Sequence, residues 1–158
     1  MLGRLYMKII VQKEIANKIF EAVKKEGLCE IKGSLYAQFI SENKYKIEDV
    51  FISKSKGTHF FSNLIINHAY HKFEKQYFKK HNYDYINHNY IGDWHSHPSF
   101  ECKPSSYDEK EIKAELLSSN AHFLIQLIVK VVNGELCGNC FYCNRDMVLR
   151  KCDLVIER

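Results

Sequence analysis

Two runs of β-type residues, Phe123 to Val132 and Glu135 to Cys143, meet across the pair Asn133-Gly134, and no other feature restricts the fold as much. A two-residue hairpin turn needs positive φ at its centre, which Asn and Gly adopt at the lowest cost. The chain is therefore expected to build a sheet, and the remaining sequence must supply further strands and the helices that cover them.

Other strand signals are Met7 to Val11, the pair Glu30 to Ser41 and Lys44 to Ser53 with Glu42-Asn43 as their turn, Tyr85 to Trp94, and Met147 to Ile156. Ile15, Ile19, Ala22 and Val23 fall at helical spacing within Lys13 to Lys25, which Gly27 stops. A second helix, Asn63 to Lys80, carries Leu64, Ile65, Ala69, Phe73, Tyr77 and Phe78 at three- and four-residue intervals, a stripe read as core. The third, Ser105 to Ser119, begins with serines able to cap it and sets Ile112, Leu116 and Leu117 on one face. The expected fold class is α+β, or mixed α/β, with one central sheet and about three helices.

At 158 residues, with no repeat, no low-complexity tract and only two prolines and seven glycines, nothing divides the chain, so residues 1–158 read as a single domain. Lys and Arg number 23 against 19 Asp and Glu, and the net charge of +4 is too mild and scattered to indicate nucleic acid. The longest basic excess, Lys72 to His81, reads as a helix face. There is no apolar run of membrane-spanning or signal-peptide length, so a cytoplasmic protein without a membrane partner is expected. Six cysteines, Cys29, Cys102, Cys137, Cys140, Cys143 and Cys152, would then be thiols or metal ligands rather than a disulfide framework.

Chemistry concentrates in Gly92-Asp93-Trp94-His95-Ser96-His97-Pro98 and Pro104-Ser105-Ser106-Tyr107-Asp108. Two imidazoles one residue apart, where a strand gives way to a loop because proline removes a ladder donor, can turn toward one point. A carboxylate eleven residues later, on a helix's first turn, can close the triangle. Three N and O ligands suit zinc at about 2.0–2.2 Å and leave the fourth position to water, as catalysis requires. Such a water ionises near neutral pH and needs a proton acceptor, for which Glu30 is the candidate. Ser105, three residues before Asp108 and on the same side of the helix, could donate to the oxyanion formed when hydroxide adds to a carbonyl.

His95-Ser96-His97, seven residues, Ser105, two residues and Asp108 resembles the signature of the JAMM metallopeptidases, also called MPN+ or JAB. Glu30-Ile31-Lys32-Gly33-Ser34-Leu35-Tyr36 is similar to that family's Glu-x-x-Gly-x-Leu strand, although relatives commonly have small or apolar residues where Lys32 and Ser34 stand. The resemblance implies a JAB/MPN-like, cytidine deaminase-like fold, a curved mixed sheet flanked by helices. It implies one Zn2+ with a bound water, held by His95, His97 and Asp108, with Glu30 as acid/base and Ser105 as oxyanion donor. Tyr90-Ile91-Gly92-Asp93-Trp94 and the lack of long insertions look more like the compact prokaryotic branch. That branch is similar to enzymes encoded beside E1- and E2-like proteins, including those of CBASS-type antiphage operons, which release ubiquitin-like or cyclase-tail conjugates. The implied activity is that of an isopeptidase or peptidase cutting after the C-terminal tail of a ubiquitin-like or similarly conjugated protein. Processing of sulfur-carrier proteins, a non-catalytic scaffold of the same fold and a metal-dependent nuclease are the alternatives.

Two features compete for attention. Cys137-x-x-Cys140-x-x-Cys143 with Cys152 suggests a second metal, but alternation along a strand points Cys137 and Cys143 away from Cys140, so buried thiols are expected. Cys102 lies between His97 and Asp108 and would inhibit as a fourth ligand if its loop folded inward; an inert thiol is the simpler reading. His59, His68, His71, His81, His88 and His122 show no ligand-like spacing linked to the motif, and Trp94 reads as a packing residue.

Overall fold

The computed structural model describes residues 6–53 and 60–158, the side chains of residues 60–66 excepted. Among these residues the elements run β1 (Lys8–Val11), α1 (Lys13–Glu26), β2 (Lys32–Ser41), β3 (Lys44–Ile52), α2 (Phe60–Lys80), β4 (His88–Ser96), α3 (Ser106–Ser118), β5 (Phe123–Val132), β6 (Glu135–Asn144), β7 (Leu149–Lys151) and β8 (Asp153–Ile156). The mixed α+β class and the three helices expected from sequence are present.

One eight-stranded sheet has the order β7-β6-β5-β4-β2-β3-β1-β8. Its two end strands are consecutive in the chain, with Cys152 alone between them. The sheet must therefore curve nearly onto itself. At the junction the Cys152 N–H donates to the Cys140 carbonyl at 2.7 Å, on the β6 side, and the Asp153 N–H to the Met7 carbonyl at 2.8 Å, on the β1 side. The single closing strand expected over Met147 to Ile156 is thus two short strands on opposite edges. Change of hydrogen-bonding partner at Cys152, not any breaker residue, divides them.

β5 is apolar apart from Gln126 and Lys130 because both of its faces are covered. Ile125, Leu127 and Val129 join Trp94, Leu35, Ile9 and Ile47 under α1, which contributes Ile15, Ile19 and Val23. Leu124 meets Ile112 and Leu116 of α3 on the other face. That same face carries an aromatic cluster beneath α2, where the Tyr36 ring lies 5.3 Å from Phe73, 4.6 Å from Tyr77 and 5.9 Å from Tyr90. Phe73, Tyr77 and Phe78 are inward as expected; Ala69 is exposed, and the positions of the Leu64, Ile65 and His59 side chains lie outside the described residues.

β4 starts later and ends later than its sequence suggests. Tyr85 and Ile86 are exposed in a turn instead of a strand, because Asp84 accepts from the Asn87 backbone at 3.2 Å and side chain at 2.8 Å and its carbonyl takes the His88 N–H at 2.9 Å. At the other end His95 and Ser96 remain in the ladder, since β2 and β5 flank them on both sides: His95 pairs with Lys32 and Ile128, and Ser96 with Val129. Two paired neighbours outweigh the approach of Pro98.

Candidate metal and active site

Alternation along β4 puts Trp94 in the α1 core and His95 on the opposite face, beside α3. Trp94 is fully buried and its indole N–H donates to the Phe51 carbonyl at 3.0 Å. Gly33 makes that crossing possible, since a Cβ there would stand 1.7 Å from the Phe51 oxygen and 2.7 Å from Trp94 Nε1. The glycine of the Glu30 segment is therefore a packing requirement for the strand that carries the histidines.

Ser96, fully buried, joins the two motif segments. Its hydroxyl accepts from the Ile31 N–H at 2.9 Å, and its own N–H donates to the Ile31 carbonyl at 2.9 Å. These two bonds hold Glu30, the preceding residue, at the mouth of the site; Glu30 is exposed, and its charge is felt at His95.

Beyond Ser96 the His97 N–H donates to the Val129 carbonyl at 2.9 Å, and the chain loops back so that His97 Nδ1 lies 2.9 Å from the Glu101 carbonyl. A carbonyl can only accept, so Nδ1 carries a hydrogen, and in the neutral tautomer this selects, Nε2 is the nitrogen that offers a lone pair to a metal. The loop then enters α3 through a capping box: the Asp108 N–H donates to Ser105 Oγ at 3.1 Å, and the Ser105 N–H to Asp108 Oδ2 at 2.8 Å. Ser105 is thus the residue that caps the helix rather than a member of its first turn. Gln126, on β5, donates to the Asp108 carbonyl at 3.3 Å from beneath.

The outcome is a triangle of ligand atoms. His95 Nε2 lies 3.0 Å from His97 Nε2, and Asp108 Oδ2 lies 3.4 Å and 3.5 Å from the two. Tetrahedral zinc with bonds of about 2.0–2.2 Å separates its ligand atoms by about 3.4 Å. Protonation agrees with geometry. Burial holds the His95 imidazole below its ordinary pKa against the pull of Asp108, so it is neutral. Burial alone would raise Asp108, but the Ser105 N–H, His95, the Ser105 hydroxyl and His97 together hold it below the usual carboxylate range. His95 Nε2, His97 Nε2 and Asp108 Oδ2 all face one point, where a cation would be held by all three. The donor set fits a divalent metal.

Cys102 is buried, yet its Sγ is not grouped with the three ligand atoms. Its carbonyl accepts from Asn139 at 3.0 Å, and Lys130 and Cys137, on β5 and β6, are the charged or titratable groups felt at its thiol. Cys140 packs in the α1 core and Cys143 in the α3 cluster, on opposite faces as alternation requires, which leaves the cysteine run no common site.

Three features of the site carry no signal in the motif spacing: the Ser96–Ile31 stitch, the Glu101 carbonyl behind His97, and a carboxyl pair behind His95. In that pair Tyr90 OH hydrogen-bonds Asp93 at 3.0 Å and also Glu115, and Ser34 bonds Asp93 from β2. Burial, then the Glu115 charge, pushes Asp93 up to about 7. Ser34, a departure from the family pattern, thus has a local partner. Sequence spacing also gave no hint that Glu48, His81 and His88 come together, as they do at the far end of the sheet.

A model of the prokaryotic homologues of the JAB domain matches residues 14–137, which spans both motif segments and α3. The chain belongs to this prokaryotic JAB family. Solved structures agree on the fold. A Desulfitobacterium hafniense protein aligns with a TM-score of 0.62 at 15% identity, covering 95% of this chain and 93% of its own. A Salinibacter ruber protein aligns at 0.55 and 14% identity, covering 93% and 90% respectively. An Archaeoglobus fulgidus JAB1/MPN domain protein aligns at 0.50 and 16% identity over 92% of this JAB chain and 97% of its own. No curated protein matches in sequence. Among the described residues no helix is long and apolar enough to cross a membrane.

Proposed function

We propose that this JAB chain is a zinc-dependent peptidase or isopeptidase that hydrolyses the amide bond following the C-terminal tail of a ubiquitin-like or similarly conjugated protein. The reading is carried by one observation: the imidazoles of His95 and His97 and the carboxylate of Asp108 converge on one point, and the exposed Glu30 is near enough for its charge to be felt at His95.

A zinc ion there would supply Lewis acidity and lower the pKa of a water. His95, His97 and Asp108 would hold it, with the Glu101 carbonyl fixing the His97 tautomer. Glu30 takes the proton of the attacking water and returns it to the departing amine. Ser105 already accepts the Asp108 N–H, so its own hydroxyl hydrogen is available for the oxygen of the carbonyl under attack. Leu28, Phe100 and Tyr107, exposed by 83%, 65% and 68%, lie two residues from Glu30, three from His97 and one from Asp108. Apolar side chains held in solvent beside the chemistry favour a protein tail as substrate. E1- and E2-like proteins would be the partners that make such conjugates.

The test is zinc content together with cleavage of a ubiquitin-like fusion. Glu30→Gln is expected to keep zinc at the His95, His97 and Asp108 site while losing about 10²–10⁴ of the rate. Cleavage by Glu30→Gln at the wild-type rate would remove Glu30 from the mechanism, and zinc-loaded wild type inert toward fusions and conjugates alike would leave a scaffold.

A further inference from the structure

Glu48 on β3, His81 just past the end of α2 and His88 at the start of β4 place a carboxylate oxygen and two imidazole nitrogens within 4.8 Å of one another. We propose that these three residues form a second, structural site for zinc or a similar borderline divalent cation, which fastens the end of α2 to the sheet.

The donor set is the same as that of His95, His97 and Asp108, two imidazole nitrogens and one carboxylate oxygen, and its dimensions are comparable. Glu48 Oε1 lies 2.6 Å from His88 Nδ1 and 3.4 Å from His81 Nε2. The second separation already equals the edge of about 3.4 Å expected around tetrahedral zinc. The first shortens to a hydrogen bond when a proton rather than a cation lies between the two atoms; a metal at Nδ1 would displace that proton, which in the neutral ring moves to Nε2. His81 and His88 stack with centroids 3.9 Å apart and planes 14° from parallel, an arrangement unfavourable to two imidazolium charges.

An outer support is also in place. Tyr77, 2% exposed, donates to the same Glu48 oxygen at 2.6 Å, fixing the carboxylate as outer hydrogen bonds fix metal ligands elsewhere. The three ligand side chains are only 13–18% exposed, shielded but reachable by an ion. Two imidazoles with one carboxylate suit zinc and its neighbours better than calcium or magnesium, which prefer oxygen throughout. His88 opens β4 and His95 lies seven positions along the same strand, so the two sites are about 20 Å apart and do not share an ion.

Zinc added to the chelator-stripped full chain, followed by desalting and metal analysis, should give two equivalents in the wild type and one in His95→Ala/His97→Ala. In that variant X-ray absorption should find a nitrogen and oxygen shell at about 2.0–2.2 Å without sulfur. Imidazole 15N resonances of His81 and His88 should move together as zinc is added. A folded double variant that holds no zinc, sulfur in the shell, or His81 and His88 signals that stay in place would each overturn the site. If the double variant does not fold, the wild type decides: a second equivalent that shifts both histidines supports the proposal, and one equivalent overturns it.

Discussion

Replacing Ser96 by alanine should separate the frame of the site from its ligands. The Ser96 hydroxyl is completely enclosed and accepts the Ile31 N–H at 2.9 Å, with no solvent to take its place. Deleting the acceptor strands a buried donor, which costs about 1–3 kcal/mol. The Ser96 N–H to Ile31 carbonyl bond survives, so the strand pairing holds and the loss stays local. At about 1.4 kcal/mol per factor of ten, the Ile31 amide should exchange with solvent roughly 5–150 times faster. The denaturation midpoint in urea should fall by an amount within the same range of energy. Zinc affinity should change little, because Ser96 Oγ touches no ligand atom, whereas cleavage should drop as Glu30 loses its tether. Hydrogen exchange followed by NMR, urea titration and zinc titration on one sample read all three. Unchanged Ile31 exchange with a stability loss under about 0.5 kcal/mol would refute the claim that this hydroxyl joins the two motif segments.

Gly33→Ala should destabilise the fold by more than the roughly 1–3 kcal/mol of ordinary overpacking, because the new methyl would meet the Phe51 carbonyl, a backbone atom, at 1.7 Å; a urea midpoint within error of wild type would contradict the crossing of Trp94 described above. Asp93→Asn addresses the carboxyl pair. Asp93 titrates near 7 in the fold and near 4 when unfolded, so its contribution is most favourable below about pH 4 and is lost as pH rises toward 7, at up to about 1.4 kcal/mol per pH unit. Asparagine cannot ionise, so the variant should gain on the wild type between about pH 4 and 7 in thermal melts, and a difference independent of pH would exclude a protonated Asp93.

Much of the fold was legible because it is encoded locally. The Asn133-Gly134 hairpin, the Ile15, Ile19 and Val23 stripe stopped by Gly27, and the serine that caps α3 depend on neighbours a few residues away, and each formed where the sequence places it. The ligand triangle was legible for a similar reason: a His-x-His pair on one strand face and an aspartate at the third position of a capped helix carry their directions with them. What the sequence left open depends on which distant segments become neighbours. Cys152 divides the last strand only because β6 and β1 stand on either side of it, and Ser96 ties down Ile31 across 65 residues. Glu48, His81 and His88 meet only because β3 and β4 both flank β2 while α2 ends above them. Such contacts leave no period in the chain, since hydrogen bonds and ligand geometry act through space, and only the curved sheet decides who meets whom.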